Sequence, residues 1–204
     1  MKLFLLAVAL IVAFTRAIDT CQDSNQMIGQ CNVFYHVCNH VDGTKLMYVC
    51  DARDGQSGKH EQTQWFSSPE QACQDSTQVL FQNDLKVDDY GHYPCNCQVQ
   101  DVDQASCHLE IAVCFYFASD DDVKNGVLTY RGYAFDKDAP TDHKSQVDGY
   151  VDPQEAGHAA ANQLFADFPD TAKKCGAAEK QFVQPALNVT SFLTGKFKRI
   201  VAQV

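Results

Sequence analysis

Ten cysteines, Cys21, Cys31, Cys38, Cys50, Cys73, Cys95, Cys97, Cys107, Cys114 and Cys175, follow an apolar leader that contains none. An even set of thiols behind an export signal predicts an oxidising compartment, where each sulfur is taken up in a covalent bridge. Spacing limits the pairing without deciding it. Cys95 and Cys97 stand two residues apart on an expected strand, so they share a face and point to separate partners. Cys175 is the one cysteine beyond residue 114, which predicts a long-range bridge back to the cysteine-rich part.

The leader is short. Residues 3–14 form an apolar run of 12 between Lys2 and Thr15-Arg16-Ala17, the pattern of a cleaved signal peptide over residues 1–17. A bilayer-spanning helix needs about 20 apolar residues, and no later window approaches that length. Cleavage of 17 residues from 204 leaves 187, enough for one domain in which bridges supplement a substantial core. Loss of Lys2 and Arg16 takes the formal charge from −10 to −12. So acidic a chain lacks the basic face that nucleic acid or an anionic membrane requires, and neither is expected as a partner.

Periodicity then divides the chain. Val33, Tyr35 and Val37 alternate with Asn32, Phe34 and His36, and Leu46, Tyr48 and Cys50 resume the alternation beyond Asp42-Gly43, a hairpin signal. With Asp42 and Gly43 as the turn, Val37 would face Tyr48 and Tyr35 would face Cys50. Residues 51–64 read as an exposed loop. Ser68-Pro69-Glu70-Gln71 starts a helix, with a hydroxyl cap and proline at the first helical position. Residues 95–102 and 105–118 read as strands, the second with an inward row of Leu109, Ile111, Val113, Phe115 and Phe117. An acidic turn over residues 119–126 leads to a strand over residues 127–135.

Beyond Asp136 a polar linker runs to Val151. Asp152-Pro153-Gln154-Glu155 then starts a helix carrying Ala161, Leu164, Phe165 and Phe168 at helical spacing, ended by Pro169. A short helix holding Cys175 and a β-prone segment over residues 192–201 follow. No internal repeat and no low-complexity tract is found. The order predicts an α+β fold, a mostly antiparallel sheet with two or three helices packed on one face. It is divided into a cysteine-rich, β-dominated part over residues 18–136 and a helical part over residues 137–204, packed on the same domain.

Chemistry is sparse. His36, Cys38 and His40 share one strand face, with His108 on another, a donor set for zinc or copper only if Cys38 stays reduced. No cofactor is expected; the alternative is calcium on loop aspartates, chiefly Asp120, Asp121, Asp122, Asp136 and Asp138, although no EF-hand spacing is present. Neither G-x-S-x-G nor H-E-x-x-H occurs, and Glu110 is a lone carboxylate on a polar strand face. Cys95-Asn96-Cys97 lacks the C-x-x-C spacing of oxidoreductases. Gln146-Val147-Asp148-Gly149 is one residue short of the Q-x-V-x-G loop of cystatins and lacks the long helix before it, which excludes that family.

Tyr90, Tyr93, Tyr130, Tyr133 and Tyr150 fall near turns, where partial exposure suits a contact surface. Asn188-Val189-Thr190 is a glycosylation sequon. Together these features point to a secreted, monomeric, noncatalytic extracellular module that binds a protein, glycan or small ligand through loops on a stapled sheet. A calcium-associated matrix protein and a secreted hydrolase without a recognisable motif are the alternatives.

Overall fold

The structure, a computed structural model, describes residues 20–87, 93–104, 106–139 and 143–176. The leader, Tyr90, Asp142, Asn188 and the segment over residues 192–201 lie outside them. Strands β1 (Cys21–Ile28), β2 (Cys31–Asp42), β3 (Lys45–Asp54) and β4 (His60–Gln62) form an antiparallel meander in that order. Alternation turns Val33, Tyr35, Val37, Cys50 and Ala52 inward, all buried, because a strand directs every second side chain to the same face. Helix α1 (Pro69–Val79) lies on that face, capped by the Ser68 hydroxyl, which accepts from the Gln71 N–H at 3.4 Å. The Tyr35 hydroxyl meets that of Thr77 at 3.1 Å beneath the helix, and burial pushes its pKa up to about 12. A π-helical turn (Leu80–Asp84) continues α1.

A second meander follows, β5 (Cys97–Gln104), β6 (Cys107–Tyr116), β7 (Thr129–Asp136) and β8 (Lys144–Tyr150), with a short helix α2 (Asp120–Asn125) between β6 and β7. Its inner row, Leu109, Ile111, Val113, Phe115 and Phe117, is at most 1% exposed. Helix α3 (Pro153–Asp167) covers it, started by Asp152, whose carboxylate accepts from the Gln154 N–H at 2.7 Å; α4 (Pro169–Lys174) follows. Phe81 stacks on Phe115 at 5.3 Å and meets Phe117 edge-on at 5.5 Å. Both halves therefore share one hydrophobic cluster. The architecture is α+β and disulfide-stapled, with two four-stranded antiparallel sheets rather than one.

Several local expectations change. Asp42 opposes Lys45, so Gly43-Thr44 forms the turn and Val37 faces Cys50. Gly43 takes φ 63°, a left-handed conformation open to a residue without Cβ. The register differs by two residues from the expected one, and since faces alternate with period two, the same side chains still point inward. Residues 51–64 contain the end of β3 and the short β4. The acidic turn winds into α2 because the Ser119 hydroxyl caps the Asp122 N–H at 3.2 Å and three carboxylates favour a helix N-terminus. The polar linker contains β8, an edge strand in which only Ser145 is fully buried, and β1 is an edge of the same kind.

The halves are copies of one another. Cys21–Cys38 and Cys97–Cys114 each join directly opposed residues on the first two strands, both at a sequence separation of 17. Cys31–Cys95 and Cys107–Cys175 each tie the start of the second strand to the segment after the helix, at separations of 64 and 68. Tyr48 pairs with Phe66 as Tyr130 pairs with Tyr150. Ser68-Pro69-Glu70-Gln71-Ala72-Cys73 corresponds to Asp152-Pro153-Gln154-Glu155-Ala156-Gly157, and Leu80-Phe81 to Leu164-Phe165.

One bridge is not repeated. Cys50–Cys73 fastens α1 to β3, whereas the corresponding positions in the second half are Gly132 and Gly157. There the helix comes so close that a Cβ on Gly132 would lie 2.7 Å from the Ala156 carbonyl carbon. The repeat, absent from the sequence reading, is hidden because the β2–β3 turn has two residues and the β6–β7 connection carries a helix, so no single period relates the copies.

Candidate functional site

All ten cysteines are paired, with Cys95 and Cys97 bound to different partners and Cys175 reaching back to Cys107. The bridge to Cys21 takes Cys38 out of the expected metal row. His36 turns its Nδ1 to Asp23 at 2.6 Å and its Nε2 to Cys38 Sγ at 3.2 Å. His40 lies beside Trp65, ring centroids 5.6 Å apart. Cys21, His36 and Cys38 do converge, their donor atoms within 4.8 Å of one another, but the two sulfurs are bonded to each other and no thiolate is available to a metal.

The aspartates divide between two places. Asp136, its side chain 3% exposed, accepts from the Thr171 hydroxyl at 2.7 Å, from Lys174 at 3.0 Å and from the Asp138 N–H at 3.1 Å. Burial acts to raise its pKa, but the hydrogen bonds from Thr171 and Lys174 prevail and hold it below the ordinary carboxylate value. Lys174 also pairs with Asp138 at 2.8 Å. This knot fastens α4 to the end of β7. Asp120, Asp121 and Asp122 instead form the first turn of α2.

Asp120 and Asp121 belong to a groove of about 590 Å³ between the start of α1 and α2. Phe66 lines it, and the walls carry Glu70, Asp120 and Asp121 against a single cation, Lys124. Burial first, then the charges of Asp75 and Asp121, push the Asp120 carboxyl up, and burial does the same to Asp75. The groove's potential is negative.

The first half is bare at its hairpin tip and on the outer face of its sheet. Val41 and Leu46, directly opposed at the β2–β3 tip, are 40% and 45% exposed, and Trp65, the neighbour of Phe66, is 49% exposed. Among the described residues, five of the eight large exposed hydrophobic side chains, Met27, Phe34, Val41, Leu46 and Trp65, lie in this half. The second half is covered on the outer face of its sheet, where Val87 and Tyr93 pack over Ala112, Tyr133, Phe135 and the Cys97–Cys114 bridge, while α2, in the β6–β7 connection, packs against α1. The Tyr93 hydroxyl donates to Glu110, which places the lone carboxylate of β6 in a structural contact.

The aromatic surface differs from the expected one. Tyr130 and Tyr133 are buried, at 5% and 4% exposure, and Tyr150 packs against the core. Trp65 and Phe34 form the exposed aromatic surface instead. A single tryptophan in an otherwise polar stretch, Gln62-Thr63-Gln64-Trp65, was the available signal. Among the described residues no helix is long and apolar enough to cross a membrane. No protein-family model matches the chain, and no curated protein is similar to it at a significant level.

Proposed function

We propose that this is a secreted, noncatalytic binding module of the extracellular space, whose partner is a protein held by the bare first half. The observation that carries the reading is the asymmetry between the copies. The same scaffold is covered by Val87 and Tyr93 in one half, and in the other it leaves Phe34, Val41, Leu46 and Trp65 exposed, with an acidic groove between α1 and α2. Exposed aromatic and aliphatic side chains on a rigid hairpin with a charged rim are the composition of a protein contact surface. The leader and five bridges support an oxidising, extracellular setting, with Asn188 as the glycan acceptor.

The test is capture from extracellular fluid with immobilised wild-type protein, a Trp65→Ser/Leu46→Ser variant and a Val99→Ser control from the exposed surface of the second half. A partner displaced by soluble wild type should be retained by the control and lost from the double variant. Equal capture by both variants would refute the assignment of the surface.

A further inference from the structure

The two cross-strand bridges are matched in backbone position and opposite in surroundings. Cys97 and Cys114 are 6% and 2% exposed, lie beneath Val87 and Tyr93, and have the apolar neighbours Val99 and Ala112 two pairs along the ladder on the same face. Cys21 is exposed and Cys38 half-buried, and two pairs along their ladder, on the same face, stand Asp23 and His36. Every other cysteine is at most 7% exposed. Fastening two strands requires neither exposure nor a histidine, as the second copy demonstrates. The Asp23–His36 dyad aimed at a solvent-facing sulfur has no structural counterpart there.

We propose that Cys21–Cys38 is a thiol–disulfide exchange site for extracellular dithiols, with His36 acting on the departing sulfur and Asp23 as its positioning residue. Exchange proceeds by in-line attack of a thiolate on one sulfur while the other leaves, and leaving is faster when the departing thiolate is stabilised. Cys21 Sγ is the accessible target. The incoming thiolate bonds to it, the Cys21–Cys38 bond breaks, and its electron pair departs on Cys38 Sγ.

His36 Nε2 lies 3.2 Å from that atom while Asp23 holds Nδ1 at 2.6 Å. With the Asp23 carboxylate accepting at Nδ1, a proton on Nε2 points at Cys38 Sγ and passes to the Cys38 thiolate as it departs. The second thiol of the dithiol then attacks the mixed disulfide, releasing Cys21 as a thiol and the dithiol as a cyclic disulfide. Two electrons and two protons pass from the dithiol to the bridge; the reverse sequence passes them from the Cys21/Cys38 dithiol to a disulfide substrate and re-forms the bridge. The covered second copy is an internal reference that the exchange should leave untouched.

The test exposes native protein to dithiothreitol, quenches with an alkylating reagent and maps each bridge by peptide mass. Cys21–Cys38 is expected to open at least about tenfold faster than Cys97–Cys114. His36→Gln should slow that opening on the order of tenfold and Asp23→Asn less, with circular dichroism and the other four bridges unchanged. With glutathione, a monothiol, the trapped adduct should sit on Cys21. Opening of His36→Gln at the wild-type rate would reduce the effect to exposure and overturn the proposal. So would an adduct on Cys38, or opening of Cys97–Cys114 first.

Discussion

Replacing Gly132 with alanine tests how the second half is held without the bridge that fastens the first. Gly132 lies outside the left-handed region, so restricting the unfolded chain would by itself stabilise the alanine variant by about 0.4–1 kcal/mol. Contact opposes this. The added Cβ would lie 2.7 Å from the Ala156 carbonyl carbon and 3.1 Å from Ala160 Cβ, where carbon–carbon contacts settle at about 3.5–4.0 Å. Both obstacles belong to α3, so the helix must retreat by about 1 Å.

Retreat strains the buried bond from the Ser145 hydroxyl to the Ala160 carbonyl, 2.6 Å long, and loosens the layer beneath Leu164. Overpacking of this kind costs about 1–3 kcal/mol and a weakened buried hydrogen bond about 1 kcal/mol more. The net expectation is a loss of about 2–3 kcal/mol, a large share of a total on the order of 10 kcal/mol. Urea unfolding with all bridges oxidised, followed by circular dichroism, measures it. A change smaller than about 0.5 kcal/mol would show that the glycine is not there to admit the helix, and the account of how α3 is seated would fail.

Three further outcomes follow from individual contacts. Removing Cys50–Cys73 as a double alanine variant should cost about 3 kcal/mol, the value for a loop of this length, read as a lower urea midpoint; an unchanged midpoint would contradict it. The Asp136 carboxyl is held below its ordinary value, so its stabilisation is complete above the unfolded value of about 4 and fades as pH falls through the lower folded one. Asp136→Asn should be least stable relative to wild type near neutrality and approach it in acid, and a difference that grows in acid would refute the assignment. Tyr35, pushed up to about 12, contributes stability below the unfolded value of about 10 that is lost as pH rises through the folded one. Burial also raises Tyr93, Tyr116, Tyr130 and Tyr133, so ultraviolet titration should show several late tyrosines, and Tyr35→Phe should remove one tyrosine's absorbance change from near pH 12.

What the sequence determined by itself was local. Ser68 and Asp152 cap their helices, and the row from Leu109 to Phe117 points inward, because capping and alternation depend on neighbours a few residues away. Cys95 and Cys97 take separate partners as expected, although Cys95 stands in the turn before β5 rather than on the expected strand, and the lone C-terminal thiol required a bridge like Cys107–Cys175. His36 and Cys38 were legible as one face, but Asp23 and Cys21 reach them from the adjacent strand.

Tertiary structure decided what depends on partners far along the chain. β1 and β8 carry little apolar signal because an edge strand of mostly polar residues is stabilised by the ladder it joins. The register of β2 on β3 allowed a shift of two residues that leaves the buried face unchanged. Tyr130 and Tyr133 became interior because α3 packs on one face of the second sheet and Val87 and Tyr93 on the other, whereas Trp65 stays 49% exposed. Since both copies obey the same local rules, only the packing of later elements onto earlier ones distinguishes a covered structural half from one that faces solvent.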